Sequence, residues 1–355
     1  MDYKKLVREE VLAQKAYSIE LVDCRIKLDA NENPYGLSDE LRSLFLGKIA
    51  GIALNRYPEP GSRYLVSRLA TYLGVDQRSV LVGNGSDEII QMICMALGKP
   101  GACMVVPTPT FVMYRITGRN LGWRVIEVPL DEHFDLDQAA TLEAIALNSP
   151  SLIFLSSPNN PTGNCFSSDK IEKVIAAAPG IVVVDEAYGA FSGRSLLPLM
   201  REYGNLVILR TLSKVGMAAM RIGFLIAPLS LAEEFHKVRL PYNLNTFSQA
   251  AAVFYLDHET VFSGQINDII QEREKLIEAL RNLKGIHPWP SHANFIFFSC
   301  DFESDHVYNY CIQNGILMKD FNGPGMMENC LRVTVGTQKE NKEFINTIQS
   351  MIAKM

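Results

Sequence analysis

From residue 79 onward the chain repeats one rhythm: a short unbroken apolar run, a turn, then a longer mixed stretch. Seven runs carry it: SVLVGN (79–84), ACMVVP (102–107), WRVIEV (123–128), SLIFLS (151–156), GIVVVDE (180–186), NLVILRT (205–211) and IGFLIA (222–227). Most are continuous rather than alternating, the pattern of strands whose sheet is covered on both faces. This predicts an α/β fold with a large, doubly wound, mostly parallel seven-stranded sheet. After PYNLN (241–245) the rhythm changes. Residues 247–284 are helical in composition, with an interruption expected near Ser263-Gly264. HANFIFFSC (292–300), GILMKD (315–320) and CLRVTVG (330–336) then read as strands of a smaller α+β domain. The expected division is residues 1–40 packing with the small domain, 41–250 as the large domain, and 251–355 as the small C-terminal domain.

Composition narrows the possible partners. The chain has 355 residues, 48% of them apolar, enough for a large core split between two domains. Its net charge is −5 and it has no long Lys/Arg run, which argues against nucleic acid as a partner but leaves room for small anionic ligands. The seven cysteines are scattered without a C-x-x-C pair, and the six histidines show no paired ligand spacing. Neither disulfides nor a metal are therefore expected. The opening MDYKKLVREEVLAQ reads as a short amphipathic helix without the apolar core of a leader. No stretch approaches the ~18 apolar residues of a membrane span. A cytoplasmic location without membrane contact is the expectation.

In open α/β sheets ligands gather at the carboxyl ends of the strands. There the chain places Gly83 to Asp87, Pro109 to Phe111, Asn159 to Gly163, Asp185 to Tyr188, and Ser213-Lys214. GNGSDEII (83–90) runs from a strand into a helix whose first turn offers free N–H groups, a site suited to phosphate. Ser86 and Asp87 also fit a simple helix cap. Asp185 follows four apolar residues, so its carboxylate needs a partner, either a ligand or a structural ion pair. SSPNNPTGN (156–164) is a turn by composition, whatever else Asn159 and Asn160 do. Lys214 follows an apolar run closely, and a lysine shielded from water is suited to condensing with a carbonyl group. A condensing amine, a carboxylate for a ring nitrogen and a phosphate cradle are together the parts that a pyridoxal phosphate site requires.

At this point the motifs become specific. LDANENPYG (28–36), RYPEP (56–60), GNGSDEII (83–90), PTFVMY (109–114), SPNNPTGN (157–164), DEAY (185–188), TLSK (211–214), RIGF (221–224), HANFI (292–296) and LRVTVGT (331–337) run in order over nearly the whole chain. With them the chain resembles the fold-type I pyridoxal-phosphate enzymes of the aspartate aminotransferase superfamily. Within that superfamily it is similar to the branch of the histidinol-phosphate aminotransferases.

The resemblance implies that Lys214 binds pyridoxal 5′-phosphate covalently and, once freed by the substrate amine, moves the proton at Cα. It implies that Asp185 keeps the ring nitrogen protonated, that Asn160 and Tyr188 bond the ring's phenolic oxygen, and that Phe111 stacks on the ring. The phosphate falls to Gly85, Ser86, Asp87, Ser213 and Arg221, and to Tyr57 of a neighbouring subunit in a homodimer. The spacing from Lys214 to Arg221 is seven residues, one shorter than in many relatives. Arg332 is implied to bind the carboxylate of glutamate or 2-oxoglutarate, helped by Lys319, which stands where relatives often have arginine. Asn33, Tyr35 and Asn294 are expected around the imidazole or phosphate of the substrate. The implied reaction moves an amino group between histidinol phosphate and 2-oxoglutarate in histidine biosynthesis. Threonine-phosphate decarboxylation and broader aromatic transamination on the same scaffold remain open alternatives. A pyridoxal-phosphate-dependent regulator fits less well, because only about 27 residues precede the first motif and they show no basic helix-turn-helix pattern.

Overall fold

In the computed structural model, which describes residues 1–16 and 22–355, the seven runs become strands of one sheet. A short β1 (Ile26–Lys27) precedes them. The runs form β2 (Val80–Asn84), β3 (Cys103–Thr108), β4 (Arg124–Pro129), β5 (Leu152–Ser156), β6 (Ile181–Asp185), β7 (Leu206–Thr211) and β8 (Ile222–Ile226). They make one seven-stranded sheet in the order β2-β8-β7-β6-β5-β3-β4. All are parallel except β8, which runs antiparallel to both β2 and β7. Alternate residues of one strand serve different cores. Ile153, Leu155, Val182 and Val184 pack into one cluster, whereas Leu152, Phe154 and Val183 pack into another on the opposite face. Each such side chain contributes about 1.5–3 kcal/mol by leaving water. Two covered faces are why the runs carry no polar alternation.

The antiparallel β8 has a specific steric requirement. A Cβ at Gly223 would lie 2.5 Å from the carbonyl carbon of Gly85 and from the nitrogen of Ser86. Glycine there lets β8 pass directly beneath the start of the helix Gly85–Leu97. Because β8 runs backwards, its first residues return to the sheet edge where β7 ends. Lys214 and Arg221 therefore share that edge.

The smaller sheet has the order β12-β13-β10-β9 and is antiparallel, built from β9 (Ile286–Pro288), β10 (Phe295–Cys300), β12 (Lys319–Asp320) and β13 (Cys330–Thr334). β11 (Ile316–Leu317) pairs separately, in parallel, with β1. GILMKD thus splits between two sheets instead of forming one strand. The closing helix Gln338–Ile352 starts on a capping box between Thr337 and Glu340.

Three expectations need correction. The helical stretch breaks not at Ser263-Gly264 but at His258, between helices Thr246–Asp257 and Glu259–Arg281. The His258 ring bonds the Phe254 carbonyl at 2.9 Å and lies 4.1 Å from the Phe254 ring, tilted by 33°, where the first helix stops. Gly264 has open space around its Cα, so nothing opposes helix there. The opening segment forms two separate turns, Tyr3–Leu6 and Glu9–Leu12, not one helix. Nor do residues 1–40 all join the small unit. Arg8 and Gln14 each donate to Asn120 at 2.7 Å, on the helix Val112–Asn120 of the large sheet's covering layer. Among the described residues, no helix is long and apolar enough to cross a membrane.

Candidate active site

A cavity of about 350 Å³ opens at the carboxyl edge of the large sheet. Asp185 reaches it as the last residue of β6 and is 3% exposed. Its Oδ2 accepts from the Tyr114 hydroxyl at 2.6 Å and its Oδ1 from the Ala187 amide at 2.9 Å. Burial pushes the carboxyl pKa up to about 6, although both hydrogen bonds favour the charged form and pull against the shift. Tyr114 is fully buried and lies flat against Phe154, with ring centroids 4.6 Å apart. Burial and the neighbouring carboxylate push its phenol well above the ordinary range, so it stays a donor to Asp185.

Lys214 is half-buried on the excursion between β7 and β8, less enclosed than the sequence suggested. Its Nζ donates to the Ala30 carbonyl at 3.1 Å and sits 5.7 Å from the centroid of the Tyr188 ring. Tyr188 accepts from Asn31 Nδ2 at 2.9 Å. Lys214, Asp185, Tyr188, Asn160 and Phe111 all line the one cavity.

At another wall lie Ser86, Asp87, Ser213 and Arg221. The helix Gly85–Leu97 begins after Asn84 with no side chain capping it, leaving its first N–H groups for an anion. Arg221 donates to Ser213 Oγ at 3.3 Å and to Asp87 Oδ2 at 3.0 Å. Arg221 and Asp87 are 44% and 46% exposed, so this pair is worth at most about 1 kcal/mol and yields to a doubly charged phosphate. A Cβ on Gly85 would come within 2.7 Å of the Arg221 guanidinium. The Gly85 φ of 84° is one that residues with a side chain rarely adopt.

The third group belongs to the small sheet. Arg332 on β13 donates to Asn160 Oδ1 and to the Asp29 carbonyl, with its guanidinium 5.1 Å from the Phe295 ring and 5.2 Å from the Phe321 ring. Lys319 is its register partner on β12, so both cations face the cavity side by side.

Not every expected residue lies here. Asn33 accepts from the Tyr35 amide at 2.8 Å and donates to Gln265 at 3.0 Å, while the Tyr35 ring packs on the core. Neither lines the cavity; Asn33 fastens the N-terminal segment to the long helix through Gln265. Asn294 is completely buried behind the wall, where it donates to the Asn31 carbonyl at 3.0 Å. Tyr57 is 81% exposed and stacks on Tyr242 outside its own chain's cavity. Asn159, at the same strand end as Asn160, is wholly internal: it bonds the Pro109 carbonyl and Thr162 and holds the turn. The reading of motifs passed over Asn31 and Tyr114, although LDANENPYG and PTFVMY contain them. Among the described residues, no group of three or more His, Cys, Asp or Glu could hold a metal.

The donor set fits pyridoxal phosphate. A buried acid suits a protonated ring nitrogen, the cradle at Gly85 suits a phosphate, and an amine stands in the same cavity. Fold and cavity together define a pyridoxal-phosphate-dependent enzyme of fold type I. The chain belongs to the aminotransferase class I and II family, whose model matches residues 25–348. It is 41% identical to histidinol-phosphate aminotransferase 2 of Nitrosococcus oceani, over 97% of this chain and 96% of that protein. It is 40% identical to histidinol-phosphate aminotransferase of Chromobacterium violaceum, over 98% of each. Its fold matches that of histidinol-phosphate aminotransferase from Sinorhizobium meliloti, solved with pyridoxal-5′-phosphate, with a TM-score of 0.85 at 22% identity, covering 94% of this chain and 92% of that one.

Proposed function

We propose that this protein transfers an amino group between histidinol phosphate and 2-oxoglutarate, giving imidazole acetol phosphate and glutamate. The observation that carries the reading is the placement of cations around one cavity. Arg221 serves one wall, while Lys319 and Arg332 stand together at another, beside Asn160. One anion site takes the phosphate of the cofactor; the other takes the phosphate of one substrate and the carboxylate of the other in turn. The full-length similarity to two histidinol-phosphate aminotransferases supports the same choice of substrate.

Bound pyridoxal phosphate supplies a ring that accepts the electrons left on the substrate carbon when its proton departs. The chain's residues do the rest. Lys214 Nζ would hold the cofactor and, once free, would take the proton from the substrate's Cα. The Asp185 carboxylate favours a positive charge on the nitrogen placed against it. Asn160 and Tyr188 would hold the phenolic oxygen, and Phe111 would cover the ring face. Ser213, Arg221 and the amides of Gly85, Ser86 and Asp87 bind the phosphate, and Arg332 with Lys319 orients the substrate anion. The decisive assay mixes the cofactor-loaded protein with histidinol phosphate, alone and with 2-oxoglutarate. Glutamate formation that requires both is the expected result. Release of CO2 from threonine phosphate without an amino acceptor, or equal turnover of phenylalanine, would replace this substrate assignment.

The same reading includes a homodimer with Tyr57 of one subunit completing the cradle of the other. Support comes from the exposure of Tyr57 and of two apolar side chains close to it in the chain, Leu54 at 80% and Tyr64 at 64%. Mixing Lys214→Ala with Tyr57→Ala protein is expected to restore turnover above the mean of the two parents, because a mixed dimer has one intact site. Activity equal to that mean would place each site within a single chain. The seven thiols are all free, which suits a reducing compartment and so the cytoplasm.

A further inference from the structure

Asn31 uses every polar group it has, although it stands in a turn rich in polar residues. It is buried, and its φ of 55° lies in the left-handed region that asparagine tolerates better than most side chains. Its amide nitrogen donates to Thr334 Oγ1 at 3.0 Å, and its carbonyl accepts from Asn294 Nδ2 at 3.0 Å. These two bonds fix the backbone. The side chain then spans from β13 to the large sheet's edge: Oδ1 accepts from Thr334 Oγ1 at 3.2 Å and Nδ2 donates to the Tyr188 hydroxyl at 2.9 Å.

The direction of these bonds follows from counting protons. Thr334 Oγ1 already accepts from the backbone of residue 31, so its single proton is free for Asn31 Oδ1. Turned over, the Asn31 amide would leave that buried proton without an acceptor among the described residues, an arrangement that costs about 1–3 kcal/mol. With Oδ1 committed to Thr334, only Nδ2 faces Tyr188. The phenol oxygen therefore accepts from Asn31, and its own proton is left to point into the cavity.

We propose that Asn31 is a positioning residue that makes Tyr188 a hydrogen-bond donor toward the cofactor's phenolic oxygen. It also ties that donor to the small sheet through Thr334 and Asn294. The inference rests on the reading of Tyr188 given above and adds what sets its polarity. A donor to an anionic oxygen favours the deprotonated chromophore, so weakening that donor raises the pH at which the visible spectrum changes.

Asn31→Gly tests this without adding charge and keeps a backbone compatible with φ 55°. It leaves in place the other charged and titratable groups around the cavity: Asp29, Asp87, Tyr114, Asp185, Tyr188, Lys214, Arg221, Lys319 and Arg332. The spectral midpoint of the cofactor-loaded variant is expected to rise by about one pH unit. In a Tyr188→Phe background the same substitution is expected to move it no further, whereas a merely structural role would add its effect to that of Tyr188→Phe. An unshifted midpoint in Asn31→Gly, with Tyr188→Phe itself shifted, would overturn the role of Asn31. An unshifted Tyr188→Phe would overturn the reading of Tyr188 beneath it. If Asn31→Gly does not fold, the isosteric Thr334→Val frees the amide to turn over. It should then give a smaller rise, and no rise would count equally against the proposal.

Discussion

Lys214→Ala is expected to lose its visible absorption with pyridoxal phosphate and nearly all turnover, a fall on the order of 10⁴-fold. The two losses have separate causes, both following from where the amine stands. Its Nζ is within the cavity and 5.7 Å from the Tyr188 ring, held there by the Ala30 carbonyl. Without it there is no amine at that wall to hold the cofactor, and no base to take the proton from the substrate. Lys319, the other lysine of the cavity, stands beside Arg332 on the small sheet. A variant that kept the visible band would shift the covalent role to Lys319 and remove Lys214 from the mechanism. The phosphate cradle is untouched by the substitution, so cofactor retained without the band separates loss of the bond from loss of binding.

Asp185→Asn is expected to act in opposite directions on catalysis and on the stability of the cofactor-free protein. With the cofactor bound, removing one partner of a buried charge pair should lower turnover by about 10³-fold. Without it, the carboxylate is a cost to the fold. Its pKa of about 6 lies above the ordinary 3.8, so the folded protein holds the proton more tightly than the unfolded chain does. Stability therefore falls as pH rises from about 3.8 through about 6, and the loss is complete above that range. Two pH units correspond to on the order of 3 kcal/mol. The variant should escape that loss, and thermal unfolding of cofactor-free protein at pH 4 and pH 8 measures it. If the two proteins have the same pH dependence, Asp185 does not bear the burial cost assigned to it.

Legibility of the fold in the sequence followed the packing. Six of the seven strands of the large sheet are almost wholly buried, and cover on both faces demands an unbroken apolar run; β4, at the sheet edge, keeps Arg124 and Glu127 exposed. Strands of two or three residues, β1 and β9, left no such trace. The helix break at His258 goes with a ring packed against the preceding turn, which composition does not encode. In the site, Asp185, Lys214 and the glycine-rich turn were visible because a charge or a turn beside an apolar run needs a reason. Asn31 and Tyr114 were not, since each owes its importance to a partner far along the chain, Thr334 in one case and Asp185 in the other. Asn33 and Tyr35 show the reverse error: a motif drew attention to residues whose bonds face away from the cavity.

The reversed direction of β8 makes a ruler of the excursion that precedes it. Its near mark is the amine at 214 and its far mark the guanidinium at 221, and the paired strands β7 and β8 clamp both ends. In the roles proposed above, one cofactor molecule would meet both marks at once, the first through its aldehyde and the second through its phosphate. Antiparallel pairing of the two strands folds the chain back on itself, so that groups seven residues apart along the excursion return to one edge of the sheet.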